Sequence, residues 1–156
     1  MLLWRIASDT ADYEADELRG TGGERTGGRW NQVGQRVIYA STAIALACLE
    51  TVVHLNARGL PRNRFLVAIE VPEEIQARRS ISDVRSLAVG WSAIPEGHVS
   101  KAHRSAWIRS ASSSLLLVPP LIVREEWNAL INPVHPDAAR IKASKRRPWF
   151  YDGRLR

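Results

Sequence analysis

A run of glycines divides this chain more sharply than any other feature. Residues 20–28 read Gly-Thr-Gly-Gly-Glu-Arg-Thr-Gly-Gly, five glycines in nine positions. Glycine loses the most backbone entropy on folding, and in a helix it costs about 1 kcal/mol relative to alanine. The run is therefore expected to be a loop, not the interior of a helix or strand. It ends directly on Arg29-Trp30-Asn31. Backbone N–H groups in a glycine-rich turn can approach an anion closely, and a guanidinium can grip phosphate through paired hydrogen bonds. The same residues equally describe a mobile loop with an exposed arginine. The run is neither a Walker loop nor a dinucleotide fingerprint, because no strand precedes the glycines at the required distance.

Beyond Gly34, residues 35–40 (Gln-Arg-Val-Ile-Tyr-Ala) are β-branched and aromatic at their centre and predict a strand. Ser41 is placed to cap a helix over residues 42–58, with Gly59 as its stop. Residues 64–71 read as a second strand, halted by Pro72. A loop-rich middle leads to a helix over residues 98–110 that carries Val99, Ala102, Ala106 and Trp107. Residues 115–118 and 121–123 read as a strand interrupted at Pro119-Pro120, and residues 129–131 as another short strand. Strands with segregated helices predict an α+β fold. At 156 residues and 45% hydrophobic content, a single domain spanning 1–156 can bury its own core. Cys48 is the only cysteine, so no internal disulfide can form. No signal peptide or membrane-spanning run is visible, and a soluble cytoplasmic protein is expected.

Three residues stand out as candidates for chemistry. At about 100° per residue, the helix face carrying Glu50 also carries Ala43, Leu46, Ala47, Val53 and Ala57, with His54 beside it. A buried, unpaired carboxylate is costly, so Glu50 pairs with a cation, lines a cleft or sits at the helix edge. Tyr39 lies immediately before that helix, where its ring can stack on a planar ligand or join the core. Arg29, after the glycines, is the third. His54, His98, His103 and His135 lack zinc-site spacing, so no metal is expected. Ser112-Ser113-Ser114 lacks the turn of a hydrolase elbow.

A net charge of +6 and a pI near 10.2 favour anionic partners. Arg140, Lys142, Lys145, Arg146, Arg147, Arg154 and Arg156 crowd the end of the chain. Such an end is ordinarily solvated, although Trp149-Phe150-Tyr151 within it suggests docking. A non-enzymatic nucleic-acid-binding module is the rival reading of this charge, against which no helix-turn-helix is visible.

Several short pieces recur in a fixed order: Trp4-Arg5, Gly28-Arg29-Trp30-Asn31 with Gly34, Tyr39-Ala40-Ser41, Ala47-Cys48-Leu49-Glu50 and Val118-Pro119. Asn128, Asn132-Pro133-Val134-His135-Pro136 and Phe150-Tyr151-Asp152-Gly153-Arg154-Leu155 follow. Together they resemble the RES-domain toxins, the toxic halves of bacterial Xre–RES toxin–antitoxin pairs. The resemblance implies a fold similar to diphtheria-toxin-type ADP-ribosyltransferases, with a cleft for NAD⁺ as substrate and no metal. It implies that Arg29, Tyr39 and Glu50 are catalytic. Arg29 would hold the pyrophosphate or the nicotinamide-side ribose, Tyr39 would stack on nicotinamide, and Glu50 would bind that ribose and stabilise charge at its anomeric carbon. Gly28, Trp30, Asn31, Ser41 and Asn132 would complete the NAD⁺-binding set. Growth arrest would follow from transfer of ADP-ribose to a protein target, or to water or phosphate. An Xre-family antitoxin would cover the active site in a hetero-oligomer. The chain departs from the pattern at Pro120, where the family usually has serine. Cys48 also stands where arginine-directed ADP-ribosyltransferases carry the first glutamate of Glu-x-Glu, which disfavours arginine as acceptor.

Overall fold

Alternation of large apolar residues shapes the molecule around one sheet. In the computed structural model, which describes residues 1–55 and 60–155, the sheet is assembled from strands drawn from the whole length of the chain. The strands are β1 (Leu2–Ser8), β2 (Ile38–Ser41), β3 (Arg64–Glu70), β4 (Ser80–Ile81), β5 (Leu115–Val118), β6 (Asn128–Ile131) and β7 (Lys142–Trp149). Helices α1 (Thr21–Thr26), α2 (Ile44–Val52), α3 (Glu73–Ala77) and α4 (His98–Ser110) lie between them, with a short 3-10 helix at Pro136–Arg140. The strand order is β4-β5-β6-β2-β1-β3-β7, antiparallel throughout except for the parallel β4–β5 pair. This is the expected α+β arrangement.

Side chains alternate across a strand, so each residue's parity decides which layer it joins. Leu3, Ile38, Ala40, Val67, Ile69, Leu115, Leu117, Ala129 and Ile131 form the core on one face. On the other, Leu116, Val118 and Leu130 pack under Trp30, Trp91 and Trp107, while Ile6 and Leu66 pack under Ala47 and Cys48 of α2. The second face carries the candidate residues. One row of it follows directly from register: Val118 is opposite Asn128, Asn128 opposite Ser41, and Ser41 opposite Trp4.

The glycine run is not the expected loop. It contains α1, whose Gly27 N–H bonds the Gly23 carbonyl at 3.0 Å. The propensity cost is accepted because the helix lies against the chain leading into β2: a Cβ on Gly23 would stand 2.5 Å from the Val37 carbonyl oxygen. Ser41 does not cap a helix. It remains in the β2–β6 ladder, and Ala43 takes the cap position without a side-chain bond. The helix begins at Ile44 and ends at Val52; Val53 is 56% exposed, outside the expected apolar face. The expected continuation to residue 58, including Ala57 and the Gly59 stop, lies outside the described residues. Residues 121–123 form no strand, since the buried Pro119-Pro120 pair ends the ladder at Val118 and the chain turns there.

The basic end is the largest departure from expectation. Instead of a solvated tail it is β7, paired along the whole of β3 with a register shift between Leu66 and Val67. Its charges are matched locally. Lys145 pairs with Asp9 and Glu14, Arg146 with Glu70, and the Arg147 guanidinium lies 4.7 Å from the centre of the Trp149 ring. Among the described residues, no helix is long and apolar enough to cross a membrane.

Candidate functional site

Arg29 is presented at the tip of a tied loop. Gly28 and Asn31 bond each other's backbones, at 3.0 and 3.4 Å, leaving Arg29 and Trp30 between them. Asn31 is fully buried, and its Nδ2 donates to the carbonyls of Gly23 and Gln35 at 2.8 Å each. Its Oδ1 accepts from the Tyr39 hydroxyl at 2.6 Å, and the same hydroxyl oxygen accepts the Trp30 N–H at 3.2 Å. Gly28 is required here, because a Cβ would come within 2.9 Å of that hydroxyl. Trp30 is buried and stacked on Trp91, ring centres 6.2 Å apart and planes 24° from parallel. Burial pushes the Tyr39 phenol above its ordinary range, so it stays a protonated donor.

The Arg29 side chain leaves this knot and is anchored at one nitrogen only. Its Nη1 donates to the carbonyls of Trp91 and Ala93, both at 3.0 Å, while Ser100 of α4 donates to the Arg29 carbonyl at 2.7 Å. These acceptors are neutral. Among the described residues, no carboxylate lies within ion-pair distance of Arg29, so its charge is not cancelled locally.

Glu50 is half-buried on α2. Its Oε1 accepts from Asn128 Nδ2 at 2.6 Å, and Asn128 Oδ1 accepts from the Ser41 hydroxyl at 2.8 Å. Like Arg29, Glu50 has no ion-pair partner among the described residues. Cys48 of the same helix turns away from this group. It packs with Ile6, Ala47 and Leu66, and burial raises its thiol pKa.

Strand β2 joins the two clusters. Tyr39 and Ser41 are two residues apart, so both project from the same face, about 7 Å apart along the strand. Thus Gly28, Arg29, Trp30, Asn31 and Tyr39 form one group and Ser41, Asn128 and Glu50 another. Asn132 belongs to neither group by its contacts. It lies beyond the far end of β6 from Asn128, where its Oδ1 accepts the Val134 N–H at 3.2 Å and its own N–H bonds the Ser114 carbonyl. Concavities of about 720 and 460 Å³ lie at residues 1–2, 70–72, 140 and 142 and at residues 10–19; neither is lined by Arg29, Tyr39 or Glu50. Asn128 bonds the Glu50 carboxylate and Ser100 the Arg29 carbonyl, and neither was selected from the sequence as a site residue. Only strand register and the docking of α4 bring them there.

A family model for the RES domain matches residues 2–152. The chain is 57% identical over 152 residues to a protein of Sphingobium sp. named Prs ADP-ribosylating toxin, covering 97% of this chain and 94% of that one. It is 37% identical over 144 residues to a protein of Pseudomonas putida named Toxin Res, with 91% of each chain covered. A Photorhabdus laumondii protein of the same name is 31% identical over 156 residues, covering 99% of this chain and 97% of that one.

Proposed function

The chain belongs to the RES-domain family, and on that footing we propose that it is a toxin that consumes NAD⁺, breaks the bond between nicotinamide and ribose, and transfers the ADP-ribose. The observation that carries this reading is the state of Glu50: a half-buried carboxylate with one oxygen held by a neutral amide and no cation paired with it among the described residues. A half-buried carboxylate with its second oxygen uncommitted suits a reaction in which positive charge develops on a sugar. Nicotinamide departs as a neutral molecule, so no general acid is needed, and the requirement is stabilisation of an oxocarbenium-like centre.

In this reading the NAD⁺ cleft, of diphtheria-toxin type, lies over the sheet face bearing Tyr39 and Ser41. The unspent guanidinium nitrogens of Arg29 grip pyrophosphate or the nicotinamide-side ribose. Glu50 supports the anomeric carbon. Tyr39 offers its ring to nicotinamide, while its hydroxyl is committed to Trp30 and Asn31. Gly28, Trp30 and Asn31 act by shaping the Arg29 loop, Ser41 acts through Asn128, and Asn132, whose contacts lie outside both groups, has no part in this reading. The name of the 57%-identical relative favours a protein as acceptor. A buried Cys48 two residues before Glu50 disfavours arginine as the modified side chain. The relatives named Toxin Res support pairing with an antitoxin, for which an Xre-family protein covering the cleft is the proposal.

The test is to incubate the pure protein with NAD⁺, alone and with cell lysate, and follow free nicotinamide and ADP-ribosylated protein by mass spectrometry. Release by the wild type and its loss in Glu50→Gln supports the reading. No release under either condition sinks it.

A further inference from the structure

The polar pair Ser41–Asn128 is hard to account for as packing. It occupies the middle of a row that runs from Val118 through Asn128 and Ser41 to Trp4, and Ser41 is 3% exposed. Two apolar side chains would fill these positions without any hydrogen-bond requirement. What the pair does is visible from its donors. A hydroxyl can donate or accept, whereas an amide has one end for each, so the chain of bonds has a direction. Ser41 donates to Asn128 Oδ1, and Asn128 Nδ2 donates to Glu50 Oε1; the hydroxyl could serve either end of the amide, so the Glu50 side selects this one. If the amide were reversed, its oxygen would face a carboxylate oxygen, acceptor against acceptor. The arrangement occupies Glu50 Oε1 and leaves Oε2 as the atom that can turn to a ligand.

We infer that Ser41 and Asn128 are positioning residues for Glu50: Ser41 holds the Asn128 amide by its oxygen, and the amide holds the rotamer of the carboxylate. This rests on the NAD⁺ reading, in which Glu50 is the group that meets the sugar. It gives Ser41 a role two hydrogen bonds behind the Glu50 carboxylate. It also makes the β2–β6 register part of the active site, since a shift of one residue would carry Asn128 to the opposite face.

The experiment is nicotinamide release from NAD⁺ as a function of pH, with kcat and KM resolved, for the wild type, Ser41→Ala and Asn128→Asp, each checked for fold by circular dichroism and melting. Ser41→Ala should lower kcat by about tenfold to a hundredfold, the scale of a misplaced catalytic group, with KM nearly unchanged. Asn128→Asp puts two carboxyl groups together, which raises the pKa of one of them. At low pH the introduced carboxyl, once protonated, can donate to Glu50 as the amide did, so activity should recover as pH falls and vanish as pH rises. The wild type should lack this limb. A purely structural role predicts lower melting temperatures with no new pH dependence in the folded protein. Wild-type kcat in folded Ser41→Ala overturns the inference, and so does an equal loss at every pH in folded Asn128→Asp. If Asn128→Asp does not fold, the Ser41→Ala result decides. A wild type that releases no nicotinamide fails at the earlier step and removes the NAD⁺ reading itself.

Discussion

The Tyr39 hydroxyl donates to Asn31 and accepts from Trp30, so one oxygen closes the loop that presents Arg29. Tyr39→Phe leaves both partners short of a bond in a half-buried site and should cost about 1–3 kcal/mol. For a domain of this size, that lowers the melting temperature by roughly 2–4 °C per kcal/mol. The loss has a pH signature. Burial raises the folded-state pKa of Tyr39, so above the usual phenol range, near 10, the unfolded chain releases a proton that the folded protein retains. Tyr39 thus contributes stability that is present below that range and lost as pH rises through it. Melting temperature should fall more steeply with alkaline pH in the wild type than in Tyr39→Phe. Gly28→Ala tests the same knot by collision, since its Cβ would meet the hydroxyl at 2.9 Å. It should reduce nicotinamide release by at least about tenfold while the circular dichroism spectrum stays native. At this scale the sequence was informative for groups whose chemistry is unusual in place, a carboxylate on an apolar helix face and an arginine after glycines. It marked Asn128 as part of a family pattern but gave it no role, because that role depends on strand pairing with a residue 87 positions away.

Elements differ in how far local pattern decides them. The bounds of helix α4 were legible to the residue but its inward face was not: Trp107 is buried as expected, whereas Ala102 and Ala106 are exposed and Ser100 and Arg104 are buried. Helix α1 was not legible, because glycine propensity argued against it and the deciding fact, its close approach to Val37, is tertiary. Strand β7 was obscured by its charges. Every basic residue named there as paired finds its partner on β3, on the loop after β1 or within β7 itself, none of which sequence proximity reveals. That matching accounts for a basic segment becoming a strand and leaves the net charge of +6 as it was. Helix α4 reaches the Arg29 loop through Ser100, which donates to the Arg29 carbonyl. Ser100→Ala removes one buried hydrogen bond, worth about 1 kcal/mol. The expected outcome is a melting temperature lower by a few degrees and a weaker KM for NAD⁺, with kcat less affected than in Glu50→Gln; steady-state kinetics on the two variants checks it.

At the scale of the whole molecule, a net charge of +6 attracts a dianionic pyrophosphate before any contact forms. Raising salt should therefore lower kcat/KM for NAD⁺ mainly through KM, as screening shortens the field to about 8 Å at physiological ionic strength. A salt-independent KM would indicate that Arg29 acts only at contact. The α+β class was legible from the mixture of strand and helix signals, whereas the strand order was not. It places the first strand inside the sheet, between β2 and β3, and the last strand at its edge. This order has a consequence during synthesis, when the chain emerges from its first residue onward. Arg29, Tyr39 and Glu50 all leave the ribosome early, yet Asn128, which orients Glu50, and β6, which braces β2, come more than seventy residues later. A nascent chain therefore carries Glu50 without its amide partner, and β2 without the strand on its other side, until β6 has been made.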